Sequence, residues 1–266
     1  MTSHPRWLRS LRSGEAILDL ALAGFLLWTF ATWLLDGRIR TLLRPEAELD
    51  RLLYAGIVNI AIGQIGGLAL LRLLIRSIGT DSPAARLRPR EYRFLSLSAA
   101  IVLGLGYYAA AGGGFGHAAV MVNTFAQVFV VSAAEVIACW GLVGLAAEAR
   151  LRPRIGNWSP AGGAIAASCA FGLYHFAHSP PFNTPAMAVF LTMAGLITSL
   201  FFFVSRDLLA TIVFHNFPAV AGVAGALAER DDIGALSRLE PLLLATATLS
   251  LLVVMVGERV ALADRR

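Results

Sequence analysis

Apolar residues gather along this chain in runs much longer than the helices of a soluble domain. Reading for runs bounded by charge or by Pro and Gly gives eight, near 15–36, 52–75, 94–112, 117–147, 161–178, 186–204, 208–228 and 241–257. A helix needs about 20 residues to cross the hydrocarbon of a bilayer. The pattern therefore predicts an all-α, polytopic membrane protein of about eight transmembrane helices, with residues 1–266 forming a single integral membrane domain. The fourth run is long enough to tilt or to project beyond the bilayer.

Composition agrees with the pattern. Of the 266 residues, 57% are hydrophobic and 15% charged, against about a quarter charged in soluble domains. Mean hydropathy is +0.69. These values exclude a soluble globular enzyme, a disordered tail and a disulfide scaffold. The two cysteines, Cys139 and Cys169, both fall inside apolar runs and outside any CxxC pair, so they read as small buried residues.

The net charge of +5 comes from 22 basic residues, all arginine. They lie between the apolar runs rather than along one face, which argues against nucleic acid as a partner. With the N-terminus inside, 15 arginines fall on inner segments (the sets at 6–12, 76–93 and 150–154, then Arg206, Arg259, Arg265 and Arg266). Six fall on outer ones, Arg38, Arg40, Arg44, Arg51, Arg230 and Arg238, and Arg72 lies at the end of the second run. This bias predicts both termini in the cytoplasm, which an even number of spans requires. The first run follows Arg6, Arg9 and Arg12, exceeds a signal-peptide core in length and ends without a cleavage-type site, so it reads as a retained signal anchor. The loop at 77–92 reads as a linker, and no internal repeat of the kind found in transporters is visible.

Ionisable residues inside a span are costly and often mark function. Here they are Glu15 and Asp19 near the start of the first run, Glu135 in the fourth, His175 and His178 in the fifth and His215 in the seventh. Asn59, Gln64, Asn123, Gln127 and Asn216 are uncharged additions. Glu15 and Asp19 read as headgroup-level residues, and His178 lies near the outer boundary. Glu135, His175 and His215 occupy three different runs, and Pro218 should kink the helix of the last. One carboxylate and two imidazoles support two chemistries. Glu135 can act as a general base on water with the histidines assisting, or the three can hold zinc with an open fourth position. Their spacing does not separate the two, and the chain has no HExxH.

These residues and their surroundings resemble the CPBP intramembrane proteases, the group of CAAX proteases and bacteriocin-processing proteins. The family's motifs are EExxxR, FxxxH and HxxxN or HxxxD. Ser168 to His175 reads as SxxFGxxH, and Gly195 followed by the stretch from Ser205 to His215 is similar to the family's approach to its last histidine. In the first motif, keeping Gly141 and Leu142 in register puts Glu135 on the first glutamate, Val136 on the second and Trp140 on the arginine. A register shifted by one would put Glu135 on the second glutamate, with Ala134 and Cys139 at the other positions. In the third motif Ala219 stands in place of the asparagine, and Asn216 lies on another helix face.

The resemblance covers about 125–228, within a family-like core of about 117–228, and implies an Rce1-like helical bundle that hydrolyses peptide bonds within the membrane. It implies Glu135 as the residue activating water, His175 as its assistant and His215 as an oxyanion donor, with no metal and no cofactor. A membrane-associated peptide or protein is the implied substrate, and membrane lipid is the surrounding partner. The all-arginine, signal-anchored chain looks like a bacterial plasma-membrane protein. Val136, Trp140 and Ala219 support an alternative, a catalytically inactive relative acting as a scaffold, immunity protein or assembly factor. A small transporter using Glu135 as an ion site is a third reading.

Overall fold

In a computed structural model the structure describes residues 14–41, 44, 47–79, 87, 92–111, 118–229, 231, 233–236 and 238–262. The arginines at 6, 9 and 12, most of the 77–92 loop and the 113–116 connection lie outside them. The described residues are all-α and form eight helical rods. We number them α1 (Gly14–Thr32, continued by a π-wound turn, Trp33–Gly37), α2 (Glu48–Ile78), α3 (Arg93–Ala110) and α4 (Ala118–Glu135, then Val136–Gly144 and Leu145–Ile155). The others are α5 (Ser159–Tyr174), α6 (Pro185–Ser205), α7 (Leu208–Glu229) and α8 (Pro241–Leu262). By length and hydropathy they make seven continuous membrane-spanning candidates, because α4 and α5 follow one another within the single stretch Ala118–Ala177. That stretch breaks at Gly156, whose φ of +54° suits a residue without Cβ. Pro160 at the start of α5 then opens the return helix. Eight rods agree with the eight apolar runs, with ends displaced by a few residues. The largest displacement is in α4, which runs on to Ile155. α7 is helical through Pro218.

α4 is the central post. α1, α2, α5, α7 and α8 pack around it, while α6 lies outside against α5 and α3 against α7. An 18-residue window of the α4–α5 stretch is wholly buried, whereas the richest window of α3 or α8 is 22% buried. Small residues permit the close approaches. A Cβ at Gly63 of α2 would lie 2.6 Å from the Cβ of Ala134, and one at Gly67 would lie 2.6 Å from Ile137. Glycine at such crossings lets helix backbones pack in lipid, where no hydrophobic force drives them together.

Charges that cannot meet water inside the bundle are paired. Arg206 donates to both oxygens of Glu148, at 2.7 and 2.9 Å. Arg93 donates to Glu258 at 2.6 Å and lies 3.8 Å from Asp207. These pairs tie the start of α3 and α7 to the end of α4 and α8. Asp207 also accepts from the amide of Ala210 and so caps α7. Asp19 is exposed, as a headgroup-level residue should be. One expectation fails: Cys139 is buried, but Cys169 is exposed on the outward face of α5.

Candidate functional site

Glu135 sits midway along α4, only 4% exposed. From the next residue the helix adopts π winding, Val136–Gly144, which is rare and frequent at functional sites. His215 of α7 approaches from one side, and its Nε2–H donates to Glu135 Oε2 at 3.1 Å. The other ring nitrogen of His215 faces the Thr198 hydroxyl at 3.0 Å. With Nε2 carrying the proton, Nδ1 accepts from Thr198. His175, at the end of α5, donates from Nδ1 to the carbonyl of Phe171 at 2.8 Å and turns Nε2 to Glu135 Oε1 at 3.8 Å. The structure thus brings together the three residues singled out in the sequence, with the two histidines on different carboxylate oxygens.

The FxxxH spacing has a physical reason. One helical turn separates Phe171 from His175, so the phenylalanine supplies both the carbonyl that fixes the imidazole and an aromatic edge against it, with ring centroids 4.6 Å apart. The same ring meets His215 edge-on at 4.9 Å. Phe171 therefore wedges the two histidines into place. Gly172 lets α5 approach α6, since a Cβ there would lie 2.6 Å from the carbonyl oxygen of Ala188.

The three departures from the family motifs also have defined places. Val136 is fully buried. Trp140 turns its Nε1–H to Ser199 Oγ at 2.8 Å, and Ser199 and Ser168 are 2.8 Å apart, so this residue links α4, α5 and α6. Its indole also packs beside His215, centroid to centroid 5.2 Å. Ala219 lines the cavity described below. Asn216 turns away from that cavity. Its Oδ1 accepts from Ser132 and its amide donates to the carbonyl of Phe125.

Two residues join the site that the sequence did not place there. His178 is 3% exposed and its ring lies 5.1 Å from that of His175. Its Nδ1–H donates to Asp36 Oδ2 at 2.6 Å, and Asp36, in the last turn of α1, is fully buried. The end of α1 can reach this far because Gly37 packs directly on the backbone carbonyl of Ala177. Both residues sit at span ends, where polar side chains are cheap and carry little signal. They are also 142 positions apart in the chain.

Glu135, His175, His178, Thr198 and His215 line one cavity of about 370 Å³. Its remaining wall is mostly apolar, with Phe182, Phe190, Leu191 and Gly222 among its residues. A carboxylate bonded at one oxygen by an imidazole and faced at the other by a second, on a largely apolar cavity with room for several waters, can take a proton from water or bind a cation.

Fold and site together define a multi-pass helical membrane protein with a buried Glu–His–His constellation. Residues 117–218 match the family model described as type II CAAX prenyl endopeptidase Rce1-like. Over that part, less than half of its length, the chain is similar to Rce1-like domains, which supports a CPBP-type intramembrane protease. No curated protein and no solved structure matches the chain. The matched segment spans α4 to the middle of α7 and contains Glu135, His175 and His215, ending one residue before Ala219.

Proposed function

We propose that this protein is an intramembrane endopeptidase in which Glu135 activates water. The observation that carries the reading is the Glu135 carboxylate, held by His215 at 3.1 Å, facing His175 at 3.8 Å and opening on a cavity. Glu135 takes a proton from a water molecule while His175 Nε2, unprotonated in the tautomer its Phe171 bond favours, accepts a hydrogen bond from the water's other O–H. The water oxygen bonds to the scissile carbonyl carbon, and the carbonyl π pair moves onto its oxygen. Once Glu135 is protonated it holds His215 less tightly, which frees the Nε2–H of His215 to donate to the new oxyanion. Collapse of the intermediate breaks the C–N bond, and the proton on Glu135 passes to the leaving amine.

The substrate is a membrane-associated peptide or protein, the chain sits in a bacterial plasma membrane, and both termini are cytoplasmic. The Arg distribution supports that orientation. Ala219 on the cavity wall supplies no oxyanion donor, and this favours a second reading, an inactive relative acting as scaffold, immunity or assembly factor. The test is cleavage of a library of membrane-anchored reporter peptides, lipidated and unlipidated, in proteoliposomes. The wild type should cleave members of the library, and Glu135→Gln should lower the rate by about 10²- to 10⁴-fold. Equal rates for the two proteins would overturn the glutamate mechanism.

A further inference from the structure

We propose that Glu135, His175 and His178 form a binding site for a divalent transition-metal ion, with zinc the best match. Each offers one ligand atom, and these atoms lie within 4.8 Å of one another. Asp36 holds Nδ1 of His178, and Nε2 of the same ring is buried with no hydrogen-bond partner among the described residues. An unmet nitrogen on a 3% exposed imidazole costs free energy unless something fills it. A metal ion does so.

The groups behind these three residues are those a metal site uses. A ligating histidine almost always donates its second ring N–H to a carboxylate or a backbone carbonyl, which fixes the tautomer and turns the other nitrogen's lone pair to the metal. His178 does this to Asp36 and His175 to the carbonyl of Phe171. Ligating carboxylates are themselves hydrogen-bonded, and Glu135 accepts from His215. All three candidate ligands therefore have an outer partner already in place. The donor set of two imidazoles and one carboxylate suits zinc, whose open sites keep three protein ligands and one exchangeable position. The cavity supplies the fourth position. Zinc bonds of about 2.0–2.1 Å set ligand atoms about 3.3 Å apart in a tetrahedron, so the groups must close by about 1.5 Å at most. Two negative charges meet the ion, Glu135 directly and Asp36 through the His178 ring.

This ligand set replaces His215 with His178, and it has a consequence that rests on the function proposed above. An ion on Glu135 takes the lone pair that would accept water's proton, so zinc inhibits a glutamate-driven cleavage rather than supporting it. The experiment equilibrates the purified full chain in detergent with Zn²⁺ alone and measures stoichiometry, affinity and the X-ray absorption of the bound ion. We expect one ion per chain, coordinated by two imidazoles and oxygen donors. His178→Gln should weaken binding at least tenfold, and Asp36→Asn by about 10- to 100-fold. Absence of saturable binding by the wild type, absorption showing fewer than two imidazoles, or an unchanged affinity in His178→Gln would overturn the site. The absorption measurement needs only the wild type, so a variant that fails to fold does not shield the proposal. In the cleavage assay, Zn²⁺ should lower the wild-type rate and a chelator should restore it. A chain that binds zinc but cleaves nothing would count against the protease reading alone.

Discussion

At the scale of single residues, the site combines losses that compensate with one that does not. Against the family pattern, Val136 removes a carboxylate and Trp140 removes a guanidinium, so the pair leaves together and the local charge balance survives. Trp140 then spends its one donor on Ser199, and its ring packs against His215. Ala219 has no such partner change. It lines the cavity with a methyl group, where the proposed mechanism would use a donor to the oxyanion. Removal of one oxyanion donor costs about 10² to 10³ in rate in other hydrolases. Ala219→Asn is therefore expected to raise kcat on a cleavable reporter by at least about tenfold, with little change in KM, because the new hydrogen bond forms only with the charged intermediate. Steady-state rates over a range of reporter concentrations check this, and an unchanged kcat counts against His215 sharing its oxyanion with position 219. Glu135, His175 and His215 were legible in the sequence because an ionisable residue in an apolar run stands out. Asp36 was not, and His178 read only as a boundary residue, since each sits at a span end and only the folded chain joins them.

At the scale of elements, hydropathy located every rod, because the cost of exposing backbone polar groups to lipid forces each apolar run into a complete helix. It did not locate the π winding in α2 (Tyr54–Gly66) and α4 (Val136–Gly144), which leaves the apolar character of a run unchanged. Nor did it reveal which glycines are crossings. Gly172 and Gly222 look alike in sequence, yet a Cβ at Gly172 would press on Thr192 and the Ala188 carbonyl, while one at Gly222 would have nothing within 4 Å. Gly172→Val is thus expected to destabilise the α5–α6 contact by about 1–3 kcal/mol, the usual range for overpacking. It should also displace His175, three residues on, and so lower activity. Gly222→Ala should leave stability unchanged or slightly raised, since alanine is the better helix former. Thermal unfolding in detergent of the two variants beside the wild type measures the contrast. Comparable losses in both would mean that α5 and α6 do not pack at Gly172 as described.

At the scale of the whole molecule, the two ends of the bundle differ in kind. One end carries the ion pairs Arg206–Glu148 and Arg93–Glu258, which join α3, α4, α7 and α8. Glu135 lies well back along α4 from Glu148, on the far side of the π-wound turns Val136–Gly144, and the chain ends around it carry His178, Asp36 and the uncharged turn before α6. In the proposed orientation, which rests on the arginine count, the ion-paired end faces the cytoplasm, and the turn between α4 and α5 is then expected to face inward and the turn between α5 and α6 outward. Trp158, 77% exposed in the first turn, and Asn183 in the second are the positions to compare. In a Cys169→Ser background, which removes the exposed native thiol while Cys139 remains buried, a membrane-impermeant maleimide applied to intact cells should label Asn183→Cys and spare Trp158→Cys. Permeabilised cells should label both. The reverse pattern would put the cavity's histidine end in the cytoplasm, and substrates would then have to be sought among segments anchored on the inner leaflet rather than the outer one.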